Sequence, residues 1–164
     1  LHVSDLYNAY YRAVEPTRYT DSLPNPLKLG LGLAWEAHLE RVLADAGISA
    51  KRPGEFTTTE GIAFSPDLLI EDENGVDRVG EIKLSFYGAA GLDNPKFGKW
   101  VMQAKTYGYH LEIPRARFFV LFVNGDYKKR RDPELHITDV EFTAQELREN
   151  WDILLSFGRQ QGLV

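Results

Sequence analysis

Apolar and polar positions follow two rhythms along the chain. The first has a period near four and marks helices. Residues 4–14 (SDLYNAYYRAV) set Leu6, Tyr10 and Ala13 to one side of a short helix, with Ser4 as its cap. A loop follows over 15–26, rich in Pro, Asn and Asp. Residues 30–46 then place Trp35, Leu39, Val42, Leu43 and Ala46 on one stripe, and Gly47 ends that helix. A third helix is expected over 96–111 (KFGKWVMQAKTYGYHL), weakened by Gly98 and Gly108. A fourth covers 143–160, where Thr143 and Glu146 form a capping box.

The second rhythm is that of strands. One strand is expected within 48–59. Two apolar runs, 62–71 and 76–84, are joined across Glu73-Asn74-Gly75, and Asn-Gly between such runs is a strong hairpin signal. The Gly-rich stretch 85–95 is a loop. ARFFVLFVN (116–124) is apolar on consecutive positions, as in a strand buried on both faces. KKRR (128–131) is a basic loop, and LHITDVEF (135–142) alternates as a further strand. The order α–α–β–β–β–α–β–β–α predicts one α/β domain spanning 1–164, without repeats, linkers or low-complexity segments.

Composition narrows the chemistry. With 43% hydrophobic and 26% charged residues, the 164-residue chain has the make-up of a soluble globular protein. It has no bilayer-length apolar run and no basic segment followed by an apolar one at its start, so a cytoplasmic protein without membrane partners is expected. The absence of cysteine excludes disulfides, Cys-ligated zinc, iron–sulfur clusters and a thiol nucleophile. Any metal would have mainly carboxylate ligands, which favours magnesium or manganese. A net charge of −5 argues against a protein that coats nucleic acid non-specifically, but not against an enzyme that recruits metal ions locally.

Three charges on the predicted hairpin carry the candidate chemistry. Strand alternation puts Val79, Glu81 and Lys83 on one face and Ile82 and Leu84 on the other. The Asn-Gly turn brings Asp67 alongside Glu81, and Pro66 interrupts the strand just before it. Two close carboxylates repel unless a cation lies between them. A divalent ion resolves this, and Lys83 can then orient or deprotonate a water beside it, as phosphodiester cleavage requires. An exposed Glu-x-Lys ion pair would be the ordinary reading of Glu81 and Lys83 alone. The combination with Pro66-Asp67 and flanking apolar strands favours catalysis.

This constellation resembles the PD-(D/E)xK nuclease superfamily, over a match running from near Gly32 to near Asn124. The resemblance implies a restriction-endonuclease-like α–β–β–β–α–β core with a mixed central sheet flanked by helices. The N-terminal helix and the C-terminal strand and helix would be additions to that core. It also implies that Asp67, Glu81 and the Ile82 carbonyl bind metal and that Lys83 is the catalytic lysine. Glu36 matches the acidic residue that the family places on the preceding helix. His38 is its rival, but projects about 200° away around the helix, where a partly buried structural role is expected. Gln103 and Tyr107 fit the Q-x-x-x-Y signature of the RecB-like and lambda-exonuclease-like branch, and their i, i+4 spacing puts them on one helix face. Gln103 would hold the lysine or a phosphate; Tyr107 would bond a phosphate or stack on a base. Lys96, Lys99, Lys105 and the 128–131 run would form a positive rim for DNA.

The expected function is therefore a magnesium- or manganese-dependent deoxyribonuclease. An exonuclease acting on DNA ends in recombination, repair or phage DNA processing comes first. A flap or branched-DNA endonuclease and a non-catalytic DNA- or partner-binding module are the alternatives. A homo-oligomer or a recombination partner protein would fit such a role.

Overall fold

The structure is a computed structural model that describes residues 1–17, 25–71, 75, 77–86, 97–124 and 132–164. Lys96, Asn74 and the 128–131 run lie outside the described residues.

Helix α1 (Val3–Val14) is capped by His2 rather than Ser4: the imidazole accepts from the Ser4 N–H, and Asp5 accepts from the His2 N–H. The ring nitrogen supplies the acceptor that a hydroxyl or carboxyl usually provides. Its buried residues are Val3, Leu6 and Tyr7, so the inward stripe differs from the expected Leu6–Tyr10–Ala13, and Ala13 is exposed. Helix α2 (Pro26–Asp45) starts at Pro26 rather than at 30, because Asn25 caps it and proline suits the first helical position. Leu39 and Leu43 are buried and Trp35 packs beside them, whereas Val42 is exposed. Gly47, at φ 74°, ends the helix as expected.

The two segments expected to be single strands are each broken. β1 (Ala50–Lys51) and β2 (Phe56–Thr57) divide the first, with Pro53 and Gly54, at φ 82°, between them. β3 (Ala63–Phe64) and β4 (Leu68–Glu71) divide the second at Ser65-Pro66, where proline has no N–H for the ladder. β2 and β3 form a small antiparallel pair of their own.

The five-stranded sheet has the order β1-β4-β5-β6-β7, with β5 (Asp77–Ser85), β6 (Arg115–Phe122) and β7 (Glu134–Glu141). β4 and β5 make the expected hairpin, in register Leu68↔Gly80 to Glu71↔Asp77. β5 and β6 are parallel, joined across α3 (Phe97–Leu111), and the other pairings are antiparallel. The sheet is thus mixed. α4 (Ala144–Gln160) starts at the expected Thr143/Glu146 capping box.

Helices cover both faces. α1, α3 and α4 bury Leu6, Trp100, Tyr107, Trp151 and Leu154 against Val79, Phe118, Val120 and Phe122. On the opposite face, α2 packs Leu39 and Leu43 on Leu68, Ile70, Ile82 and Phe119. α1, expected as an addition, is part of the larger core. Two glycines serve close approaches. A Cβ on Gly80 would stand 2.9 Å from Leu68 Cβ and Ile70 Cδ1, and one on Gly108 would stand 2.5 Å from the Ile113 carbonyl oxygen. Gly108 therefore lets the chain fold back after α3, at a modest cost in helix propensity. Among the described residues, no helix is long and apolar enough to cross a membrane.

Candidate active site

The break at Pro66 frees Asp67 from the ladder at the start of β4. Its Oδ2 accepts from the Ile82 N–H at 2.8 Å, which ties it to β5 beside Glu81. Extending the Leu68↔Gly80 register by one pair places Asp67 opposite Glu81, as expected. Glu81 is wholly buried, and Lys83, one strand repeat on, brings its Nζ to 2.5 Å from Glu81 Oε2 and 3.5 Å from Asp67 Oδ2. The three charges converge, with two carboxylates around one ammonium.

The electrostatics are uneven. Burial pushes the Glu81 carboxyl up to about 8, opposed by Lys83 and reinforced by Asp67. Burial would by itself lower Lys83, but Glu81 and Asp67 outweigh it and hold the ammonium above the ordinary lysine range. Lys83 is therefore a firm cation that donates protons to hydrogen bonds, and in this state it is no base for water. Glu81 Oε1 is buried without a hydrogen-bond partner. A buried carboxylate oxygen left bare is costly unless a cation meets it, so the donor set fits a hard divalent ion held by Asp67 and Glu81.

Glu36 lies at the edge of this field, since it adds to the upward push on Glu81. Its own carboxylate accepts from Arg52 Nη2 at 3.2 Å, and Arg52 also pairs with Glu40. Among the described residues, no three His, Cys, Asp or Glu side chains stand close enough together to hold an ion. His38 is exposed with its ring tilted against Trp35, so the partly buried role expected for it is corrected.

Gln103 and Tyr107 share a face of α3, and Gln103 Nε2 donates to the Tyr107 hydroxyl at 2.8 Å. Both are buried, and the Tyr107 ring stacks on Phe64 with 5.7 Å between centroids. Base stacking by Tyr107 is thereby corrected: a ring 1% exposed offers no face to a nucleotide. Burial, then Glu81, raise its phenol far above the ordinary range, so it stays a neutral group beneath the carboxylates. The two lysines expected on the rim separate. Lys99 bonds Asn8 and lies 5.3 Å from the centroid of the Tyr7 ring, whereas Lys105 turns towards Glu146 (3.5 Å) and the Phe142 ring on the α4 side.

Two participants were not foreseen. Tyr7 of α1 is buried with its phenol pushed up to about 12, first by burial, opposed by Lys83 and reinforced by Glu81 and Asp67. The crowding of Tyr7, Tyr10 and Tyr11 in one short helix was the available signal. Arg52 had none, since only folding brings β1 beside α2.

No family model and no curated protein matches the sequence. Solved structures do match in fold. The alkaline exonuclease LHK-Exo from Laribacter hongkongensis aligns with TM-score 0.59 and 16% identity, over 98% of this chain and 86% of that one. Its complex with dAMP gives TM-score 0.60 at the same identity and coverage. The crystal structure of SSO0001 gives 0.59 and 17%, over 95% of this chain and 75% of that one. The mixed sheet flanked by helices is thus a restriction-endonuclease-like fold, shared with an exonuclease.

Proposed function

We propose that residues 1–164 act as one metal-dependent nuclease domain that hydrolyses phosphodiester bonds of DNA. DNA ends would be its substrate, in recombination, repair or phage DNA processing. The observation that carries this reading is Glu81, a fully buried carboxylate with one bare oxygen, sharing a single lysine with Asp67 at a strand break. Asp67, Glu81 and the Ile82 carbonyl would hold magnesium or manganese, and Glu36 would join them by exchanging Arg52 for the ion. Bound there, such an ion supplies charge neutralisation for the phosphate and a more acidic water.

The chain's own residues do the rest. Lys83, cationic and fixed between two carboxylates, orients the attacking water or a phosphate oxygen by donating to it. Gln103 and Tyr107, hydrogen-bonded to each other, belong to the buried floor of the site, which excludes bulk water and strengthens these interactions. The shared fold of an exonuclease solved with dAMP supports DNA as the substrate and ends as the target.

Labelled linear DNA and covalently closed circles are incubated with magnesium or with EDTA. Loss of linear DNA in magnesium, with circles and EDTA samples intact, is the expected result. Cutting of circles would replace the exonuclease with an endonuclease. No cleavage of any DNA would leave only a binding module.

A further inference from the structure

A cavity of about 560 Å³ opens between the C-terminal end of α3, the first half of α4 and the turn joining β2 to β3. Its size suits a small ligand, since such sites commonly run to about 300–1,000 Å³. None of Asp67, Glu81, Lys83, Gln103 or Tyr107 lines it, so it is separate from the candidate active site. The two adjoin through aromatic rings: Phe64 stacks on Tyr107 at 5.7 Å and meets His110, which lines the cavity, at 5.3 Å. Ala144, Leu147, Arg148 and Trp151 recur at i, i+3, i+4 and i+7, so one face of α4 forms a wall, and Arg148 is its one charge.

Two features of this lining point to a ligand. Glu112 stands at φ 57°, the one non-glycine at positive φ among the described residues, where α3 ends and the Ile113 N–H returns to the Gly108 carbonyl. Glycine takes that conformation freely and glutamate does not, so the carboxylate is kept there against the backbone's preference. Among the described residues, moreover, neither Glu112 nor Arg148 has a hydrogen-bond or ion-pair partner, although both line one cavity. A free carboxylate and a free guanidinium thus share a space whose rings are held in place. His110 lies edge-on to Trp151 at 4.4 Å and to Tyr109 at 5.1 Å, and both His110 and Tyr109 are half-buried.

A carboxylate accepts two hydrogen bonds side by side, and a guanidinium donates two. Guanine is the base with both matching edges: N1–H and the exocyclic amine are adjacent donors, and O6 and N7 are adjacent acceptors. Adenine and cytosine lack the pair of adjacent donors, and thymine has a single N–H. We propose that this cavity binds a guanine base: Glu112 accepts from N1–H and the amine, Arg148 donates to O6 and N7, and the rings of Tyr109 and His110 flank it. Beyond Arg148 the lining has no lysine or arginine, and Glu60 adds a second carboxylate, so the cavity holds the base and not its phosphate. The same chemistry serves a guanine of a DNA strand and a free nucleoside.

The test is calorimetric titration of the metal-free protein in EDTA with the four deoxynucleosides, on wild type, Arg148→Lys and Glu112→Gly. Deoxyguanosine should bind wild type at least about tenfold tighter than the other three. Arg148→Lys keeps the charge and loses the fork, so its affinity for deoxyguanosine should fall about 10- to 100-fold. Glu112→Gly removes the carboxylate and relieves the backbone, so binding should be lost while the melting temperature holds or rises. Deoxyguanosine affinity unchanged in both variants would overturn the assignment, as would equal affinity for all four nucleosides or affinity for none. Short thymine oligonucleotides with and without one guanine then separate the sources. A guanine-dependent gain that Glu112→Gly abolishes assigns the site to a strand; its absence beside deoxyguanosine binding assigns it to a free nucleoside, and both results keep the guanine site. No metal is present and no cleavage is read, so failure here leaves the nuclease reading standing.

Discussion

β5 carries two charge clusters, one on each face of the sheet, and they are near mirror images. On the α2 face, Arg78 and Arg117 flank one carboxylate: Asp139 meets Arg117 at 2.7 and 2.8 Å and Arg78 at 3.1 Å. On the other face, Asp67 and Glu81 flank one ammonium, that of Lys83. Asp139 of the first cluster is half exposed, and its bidentate bonds to Arg117 hold it below the usual carboxylate range. The second is buried, and burial drives Glu81 the opposite way. In the first cluster two guanidinium groups meet both oxygens of Asp139. The second has one ammonium for two acidic groups, and one of these, Glu81, is fully buried. The same residue types thus give a sheet-edge clasp on one face and a candidate metal centre on the other.

The largest expected effect comes from removing the shared cation. Lys83→Ala should lower DNA cleavage about 10²- to 10³-fold, the range for losing one fixed donor that stabilises charge in the transition state, while manganese still binds. Turnover near wild type would show that Lys83 serves only as a counter-charge, like the arginines across the sheet.

Next come the carboxylates. Asp67→Asn and Glu81→Gln should each weaken manganese binding at least about tenfold by calorimetric titration, since each removes an anionic ligand. Glu81 adds a test by pH. Its carboxyl moves from 4.5 up to about 8 on folding, so the folded chain keeps a proton that the unfolded chain has lost. Metal-free stability from this group is full below about pH 4.5 and declines as pH rises towards about 8. Melting scans in EDTA should therefore show Glu81→Gln gaining on wild type as pH rises across that window. A gap independent of pH would remove Glu81 from the account.

A smaller effect is expected at Glu36. Glu36→Gln should weaken manganese binding less than Glu81→Gln, and Arg52→Ala should strengthen it, because the ion and Arg52 would compete for one carboxylate. His38→Ala should change neither. The reverse ranking of Glu36 and His38 would transfer the helix ligand to His38.

The smallest effect belongs to the other face. Asp139→Asn should cost about 0.5–1 kcal/mol at neutral pH, the discounted range for an exposed pair, and leave cleavage unchanged. Because the folded Asp139 is held below the ordinary aspartate value of 3.8, the difference should persist above that pH and vanish as pH falls well below it. Urea melts at pH 7 and pH 3 check this. An effect on cleavage would mean that the two clusters communicate through β5.

The sequence by itself determined the elements whose signals are local. The Thr143/Glu146 box, Gly47 at positive φ, the alternating faces of β5 and the break at Pro66 each depend on near neighbours, and each stands where it was read. The proximity of Asp67, Glu81 and Lys83 was legible for the same reason, since one hairpin makes it. Tertiary structure alone decided what depends on distant segments meeting. Pro53-Gly54 marks a break within 48–59, but that the two halves join different sheets depends on distant partners. Tyr107 is a core residue because Phe64 covers it, and Glu36 faces Arg52 because β1 packs beside α2. Above all, burial of Glu81 is settled by α1, α3 and α4 closing over one sheet face, and it turns an ordinary Glu-x-Lys pair into a cation-seeking site.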